Sequence, residues 1–568
     1  MNNLFPHLNT KRTDPYRILI ILAILFRLWM GLSAGYWFDS DQFHDDVLFI
    51  NYCNPFTHNH LGSITPYPNM RIIKESSFSL LLSIIYLSGI NYGFMLTVLY
   101  FAAAVLTYRT ISYFTNNKNI LLFSFLYVLF FPSAFDQWLG TRVYRNAILI
   151  PCILITFSLL TISALHLLHT FQRKALISNL ALMFLFPFTC YIKEDGIWIV
   201  AVVAVISLLE LIYLFSVWIQ KKKKNLRNIF VWVLIVCIPL GGYWAYKKGI
   251  ELFNLKQYGV ALTNSRTEGE LSDFVNLVYK IESPDRTAEI WAPKDAIDKA
   301  FSASSTFQKY SHIYNNTIHT PKWFGDIETN PIKGDFLTWV LRDAIQADKL
   351  WTSEKDVQDI FKLINSELRE AFSSGKLKKE RKIQLISSMG GRSLSEIVEL
   401  FPDMIYIFQT FLSLKSYNFS AYPSVSTNST IESTEKTLHT PLHERTTIQV
   451  LIGKIASIYS VAYIVINWLL FLYAIFSVIR GSIRIIRKKA TVTSCFVTIT
   501  CILLLGVSLA YSCAISWFCS FLTGNTHPIC LKFYGCGVVP LLILICLISF
   551  ASNIPHINSF MPPEKSSV

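Results

Sequence analysis

The chain has 568 residues, of which 52% are hydrophobic, 14% aromatic and only 15% charged, and its mean hydropathy is +0.41. Soluble proteins carry about 25% charged residues, and disordered chains are poorer in apolar residues, so both classes are excluded. The formal net charge is +14, yet residues 250–447 hold 23 Lys and Arg against 26 Asp and Glu, net −3, which leaves 28 − 11 = +17 elsewhere. That excess lies in short clusters between apolar runs, which favours loops of a polytopic membrane protein over nucleic-acid binding.

Apolar runs predict an all-α membrane protein with about ten membrane-spanning helices. Each run is close to 20 residues, roughly the length needed to cross a bilayer. The runs cover 18–37, 91–113, 119–136, 147–168, 175–192, 196–219, 228–247, 455–479, 491–514 and 534–552. The apolar run 77–88 is too short to cross and is predicted to be an interfacial or re-entrant helix.

The basic residues predict how these spans are oriented, because Lys and Arg are enriched in cytoplasmic loops. Three of them precede the first span and place the N-terminus inside: Lys11, Arg12 and Arg17. The loops that alternation then places inside carry Arg109, Lys118, Arg173, Lys174, Lys221–Lys224, Arg227, Arg480, Arg484, Arg487, Lys488 and Lys489. Both termini are therefore predicted to be cytoplasmic. The outer face receives the segments 38–76, 137–146, 193–195, 250–447 and 515–533.

Four regions follow from this pattern. Residues 1–249 form a membrane domain with about seven spans, and residues 448–568 supply about three more. Residues 250–416 are predicted to form a mainly helical extracytoplasmic domain, since stretches such as 353–372 (SEKDVQDIFKLINSELREAF) have helical periodicity. The Ser- and Thr-rich residues 417–447 are predicted to be a flexible linker.

The outer loop that follows the first span is rich in acids. Four of them lie within eight residues, beside a histidine: Asp39, Asp41, His44, Asp45 and Asp46. Acids this close raise one another's pKa values. Such repulsion is unfavourable unless a bound cation offsets it or the acids serve in proton transfer. The cluster is either a solvated cap or part of a site.

Basic residues also occur at the outer membrane edge, where the charge rule predicts few. They are Arg71, Lys74, Arg142, Arg145 and Lys193, with Glu194 beside the last. Arg142 and Arg145 are three apart, so on a helix they would share a face and could bind one phosphate with forked donors. A single charged side chain at the end of a span often only extends into the surrounding water. These basic residues, however, are predicted to face an acidic loop.

Together these residues favour chemistry on a lipid-linked phosphate. A carboxylate can deprotonate an incoming hydroxyl, and cations can stabilise a departing phosphate. This describes glycosyl transfer from a polyprenyl-phosphate sugar at the outer leaflet. Two alternatives stay open: a transporter or flippase for lipid-linked sugars, and a non-enzymatic envelope scaffold.

The order of these parts resembles the GT-C superfamily of membrane glycosyltransferases. Those enzymes have a first span, an outer loop with an acidic motif, a short interfacial helix, further spans and an outer domain. Here the acidic motif is His44-Asp45-Asp46, and Lys74-Glu75-Ser76 stands where relatives have a Lys-x-Pro-like sequence, without the proline. The chain also resembles a largely uncharacterised family of bacterial membrane proteins. Its resemblance to that family rests on HDDVLFI (44–50), RVYRNAILIP (142–151), YIKEDGIW (191–198) and GDFLTWVLRDAI (334–345).

The resemblance implies a location in the bacterial cytoplasmic membrane and a reaction with inversion. It implies that the catalytic base is Asp45 or Asp46, with Asp45 preferred and Asp46 then supporting it or helping to bind a divalent cation. It further implies that the outer basic residues bind the donor's phosphate, with Glu194 orienting one of them. The acceptor would be a cell-envelope glycan or lipid. A divalent cation, Mg or Mn, would suit the acids but is not required by the pattern.

Overall fold

A computed structural model of the chain describes residues 15–39, 45–51, 53, 72–168, 172–220, 226–319, 332–386, 388–443 and 445–552. Within these ranges the chain is helical, with isolated β-bridges and no strand. The prediction of an all-α protein is confirmed for this part of the chain.

The helices are numbered here in chain order. The first nine are α1 (Pro15–Leu32), α2 (Asp45–Asn51), α3 (Ser76–Ser88), α4 (Tyr92–Ser112), α5 (Lys118–Leu129), α6 (Asn146–Leu168), α7 (Gln172–Cys190), α8 (Ile197–Gln220) and α9 (Leu226–Tyr258). The next seven are α10 (Glu270–Val278), α11 (Lys294–Ala303), α12 (Ser305–Lys309), α13 (Ser311–Ile318), α14 (Leu337–Ala347), α15 (Glu354–Ser373) and α16 (Leu394–Val398). The last six are α17 (Phe401–Leu412), α18 (Asn428–Leu438), α19 (Thr447–Ile486), α20 (Val492–Cys519), α21 (Thr526–Gly535) and α22 (Val538–Ser552).

Eight segments among the described residues are long and apolar enough to cross a membrane. They lie in α1, α4, α6, α8, α9, α19, α20 and the stretch Lys118–Phe135 that begins with α5. The helices α21 and α22, bent by 58°, add a ninth if they cross as one broken span. The predicted number of ten is therefore not confirmed.

The remaining predicted span, 175–192, corresponds to α7. This 19-residue helix begins with Gln172, Arg173 and Lys174 and contains Asn179 and Pro187, so it is less apolar than its neighbours. It packs between α6 and α9. The short apolar stretch before α4 forms the separate helix α3, as predicted.

Burial divides the bundle into an inner and an outer layer. Helices α6 and α22 are covered by protein along almost their whole length. In contrast, α1, α8 and α19 expose many large apolar side chains, such as Leu22, Ile212 and Leu469. Apolar side chains facing outward are expected of helices whose solvent is lipid.

A second core lies in the segment after α9. It is built from the helices α10 to α15 and includes Phe274, Trp291 and Phe361, and it is completed by Trp517 and Phe521 from the end of α20. The domain thus packs directly on a membrane-spanning helix.

Three of the predicted boundaries need correction. Helix α9 continues to Tyr258, so the domain begins later than residue 250. Helix α17 packs into the bundle core through Ile407 and Phe411. The segment 417–447 is not a plain linker, because it contains α18, which buries Ile431 and Leu438 and packs against α3.

Candidate functional site

Several loops meet at one end of the bundle, called the domain side below. The Trp37 N–H donates to the Thr141 carbonyl (3.1 Å), and the Ser77 N–H donates to the Tyr191 carbonyl (3.0 Å). The Ser265 N–H donates to the Ile72 carbonyl (2.8 Å), which joins the domain to the first loop. The segments that the alternation of spans predicts to share one face of the membrane are therefore neighbours. That this face is the extracytoplasmic one stays a prediction from the charge distribution.

Asp46 and Arg142 form a buried, two-pronged ion pair. The Arg142 Nε and Nη2 donate to the Asp46 carboxylate at 2.7 to 3.1 Å, and the Asp46 side chain is 0% exposed. Four aromatic rings surround the guanidinium: Trp37, Trp138, Tyr144 and Phe533. Burial alone would lower the pKa of Arg142, but Asp46 outweighs it and raises that pKa above its usual value. This pair joins the first loop to the turn before α6.

Asp45 is the accessible acid of the doublet, with 26% of its side chain exposed. Its carboxylate accepts from the Lys74 ammonium (2.7 Å) and from the Tyr144 hydroxyl (2.7 Å). Burial acts to raise the pKa of Asp45, but Lys74, Arg145 and these hydrogen bonds together lower it. Asp45 is therefore an ionised carboxylate at neutral pH, with part of its surface open.

Arg145, Glu194 and Arg266 continue the cluster from Asp45. The Arg145 Nη1 donates to Glu194 (2.5 Å), and Arg266 lies 4.0 Å from the other carboxylate oxygen of Glu194. Burial acts to raise the pKa of Glu194, but Arg145, Lys74 and Arg266 lower it well below its usual range. The Arg145 Nε–H is buried and has no hydrogen-bond acceptor in the described part of the chain. This guanidinium retains a donor that a ligand oxygen can use.

The two predicted phosphate-binding arginines pair with different carboxylates. Both precede α6, which begins at Asn146, so they do not lie on a helix. Arg142 forms an ion pair with Asp46 and Arg145 forms one with Glu194, because each guanidinium pairs with the carboxylate buried beside it. Of the two, Arg145 is the one with a donor to spare.

Lys193 also departs from the expected arrangement. The Lys193 ammonium donates to the Tyr534 carbonyl (3.2 Å) and lies 3.8 Å from Asp195, facing α21. Lys193 thus lies beside the cluster, and its ammonium binds Tyr534 and lies close to Asp195. Arg71 lies outside the described residues, as do Asp41 and His44 of the acidic loop.

Four residues of the site were not predicted as members of it. Arg266 and Asp335 form an ion pair from the domain. The Trp339 ring lies 5.1 Å from the Lys74 ammonium and 5.7 Å from the Arg266 guanidinium. Tyr144 lies between the two predicted arginines in sequence. The position of Arg266, shortly after a span that ends on the domain side, is a usable signal, and Asp335 and Trp339 lie in the motif GDFLTWVLRDAI (334–345) that carries the family resemblance.

Glu75 lies next to this cluster and is buried. Among the described residues, its Oε2 atom has no hydrogen-bond partner. Burial, reinforced by Glu194 and Glu268, raises the pKa of Glu75 well above its usual value. The surroundings of Glu75 therefore favour its protonated form beside the ion pairs of the cluster.

The acids do not converge on a cation position. Asp45 and Asp46 point to Lys74 and Arg142, and the described residues contain no group of three His, Cys, Asp or Glu side chains suited to a metal ion.

Comparison with known protein families, with curated proteins and with solved structures finds no match to this chain. The chemistry of the site must therefore be argued from its residues.

Proposed function

We propose that this protein is a membrane glycosyltransferase that moves a sugar from a polyprenyl-phosphate donor to a cell-envelope acceptor. The observation that carries the proposal is the surroundings of Asp45. A partly exposed, ionised carboxylate lies among Lys74, Arg145 and Arg266, at the end of a membrane bundle. A base beside several cations is what transfer from a phosphate leaving group requires.

In the proposed reaction Asp45 accepts the proton of the acceptor hydroxyl. The acceptor oxygen then bonds to the anomeric carbon while the bond from that carbon to the phosphate oxygen breaks, so the configuration inverts. The electron pair leaves with the polyprenyl phosphate. Arg145, through its unused Nε–H, and Arg266 stabilise the charge that develops there.

The remaining side chains would hold this arrangement in place. Lys74 keeps Asp45 ionised and Glu194 orients Arg145. The Asp46–Arg142 pair fixes the loop that carries Asp45. Trp339, an aromatic ring at the border of the domain, offers a surface for an acceptor sugar.

The test is sugar transfer by the purified protein in lipid, with radiolabelled polyprenyl-phosphate sugars and a panel of envelope acceptors. Asp45→Asn is expected to lose about 10²-fold or more in turnover, the usual contribution of a general base. Asp273→Asn is the matched control, because this acid pairs with Arg369 on the domain surface away from the cluster. Its turnover should stay at the wild-type value.

Two results would contradict the proposal. Turnover that survives Asp45→Asn unchanged would remove the catalytic assignment. Movement of the intact donor across the bilayer without consumption would identify a flippase instead. Arg145→Lys separates the roles further: it should raise KM for the donor, because the forked donor set is lost while the charge is kept.

A further inference from the structure

A stripe of exposed apolar side chains runs along α16 and α17. It consists of Leu394, Val398, Phe401 and Ile405, which are 72%, 73%, 61% and 43% exposed. The residues that join the two helices, Glu399 and Leu400, also have right-handed helical dihedral angles. Spacings of four, three and four residues along a helical path place these side chains on one face. Soluble domains rarely expose such a continuous stripe.

The opposite face of this helical path packs against protein, on the domain core near α16 and on the membrane bundle along α17. Leu400 belongs to the domain core, and Ile407 and Phe411 belong to the bundle core. Helix α17 packs against α20, α21 and α22. Since α20 is a membrane-spanning candidate, the outward face of α17 lies beside lipid-facing surface.

A basic segment lies next to the stripe. Residues 376–382 contain five Lys and Arg against one Glu, net +4, in a region 250–447 whose total is −3. Ile383 and Arg392 exchange backbone hydrogen bonds (2.9 and 2.7 Å), and Lys382 pairs with Glu396 of α16 (3.1 Å). The basic residues are thus held beside the helix that begins the stripe, and Lys378, Lys379 and Arg381 are exposed.

We propose that this stripe and the basic residues beside it form a membrane-surface contact, in which the apolar side chains enter the lipid interface and the basic ones bind anionic head groups. Apolar side chains flanked by Lys and Arg are the pattern of helices that lie in the interface plane. The occupant is lipid because α17 is already packed against the bundle that lipid surrounds. The contact fixes the domain's orientation over the membrane, and it does not depend on the proposed reaction.

The test places the photoreactive residue p-benzoyl-phenylalanine at Val398 of the full-length protein in nanodiscs that contain phosphatidylglycerol. Leu363 on α15 is the matched control, an apolar side chain that is 58% exposed on the domain. Lipid adducts are expected at position 398 and none at position 363. Equal labelling of both positions, no lipid adduct at 398, or cross-linking of 398 to a second protein chain would each overturn the proposal.

A second measurement tests the basic residues. The combined substitution Lys378→Gln, Lys379→Gln and Arg381→Gln removes three exposed charges without touching the apolar stripe. The yield of adducts at position 398 in phosphatidylglycerol nanodiscs should fall to the yield in phosphatidylcholine nanodiscs. An unchanged yield would overturn the role of the charges, and monodisperse elution of the variant shows that it has folded.

Discussion

At the scale of single residues, the two adjacent aspartates have different environments. Asp46 is fully buried against Arg142, whereas Asp45 keeps part of its carboxylate exposed between Lys74 and Tyr144. The difference arises because successive residues at the start of α2 point in directions about 100° apart. The role of each aspartate follows from its partner and not from its residue type.

The buried pair leads to a prediction about stability. Asp46→Asn should lower the free energy of unfolding by about 3–5 kcal/mol, because it leaves the buried Arg142 guanidinium without its charge partner. Asp45→Asn, at a partly exposed position, should cost less. Thermal unfolding of both variants in the same detergent measures the difference, and equal losses would show that burial does not distinguish the two acids.

Glu75 predicts a dependence of stability on pH. Its folded pKa is raised by burial and by Glu194 and Glu268, so the unfolded chain ionises first as the pH rises and the folded state becomes relatively less stable. Glu75→Gln should therefore raise the free energy of unfolding at pH 8 by about 1 kcal/mol and change it less at pH 5. A stabilisation that is larger at pH 5 than at pH 8 would contradict this.

At the scale of elements, the close approach of α1 and α4 depends on glycine. A Cβ atom at Gly93 would overlap the carbonyl oxygen of Gly31, and one at Gly31 would overlap the Thr97 hydroxyl. Small residues at such crossings let helix backbones approach in a membrane. The buried Arg27 of α1 is part of this contact, since its Nη1 donates to the Thr97 hydroxyl (3.5 Å) and its guanidinium lies over the Tyr100 ring.

Gly93→Ala is expected to push α1 away from α4 and to destabilise the protein by about 1–3 kcal/mol, the usual cost of overpacking. Gly506→Ala in α20 is the matched control, because no atom lies within 4 Å of its added Cβ. Unfolding in detergent should show a lower midpoint for the first variant and no loss for the second. Equal behaviour of the two would mean that the α1–α4 contact tolerates a wider spacing.

At the scale of the whole molecule, the domain and the loops of the bundle form one assembly. The guanidinium of Arg392 contacts the Ser520 hydroxyl and the Trp517 ring at the end of α20, and Arg342 donates to Ser265 at the start of the domain (2.8 and 2.9 Å). Lys532 of α21 binds Asp136 (2.8 and 2.9 Å) and the Ser416 carbonyl (2.8 Å). These contacts fix the positions of the loops around Asp45 relative to one another.

The orientation in the membrane is also a prediction at this scale. A fluorescent protein that matures only in the cytoplasm should be bright when fused to the C-terminus. A cysteine introduced at the exposed domain residue Lys355 should react with a membrane-impermeant maleimide added to intact cells, in a background in which the exposed Cys237 is Ser. A bright reporter with an unreactive domain cysteine would place the domain inside and contradict the charge-based orientation.

The sequence by itself determined the helical membrane class, the positions of most spans and the clustering of Asp45, Lys74, Arg145 and Glu194. Length and apolarity define a span locally, and alternation brings loop ends together, so both can be read without a structure. The apolar run 175–192 predicts a span, but the first turn of α7 is polar, so this helix is less apolar than its neighbours. The Ser- and Thr-rich composition of 417–447 predicts a linker, because the buried stripe of α18, Ile431, Thr434 and Leu438, is only weakly apolar.

Only the tertiary structure decided how the charges pair. The sequence placed Arg142 and Arg145 on one face, but burial assigned each a different carboxylate. Arg266, Asp335 and Trp339 entered from the domain through long-range packing that no local pattern encodes. An ion pair depends on the distance and desolvation of two side chains, and for residues far apart in sequence these are set by how the helices pack.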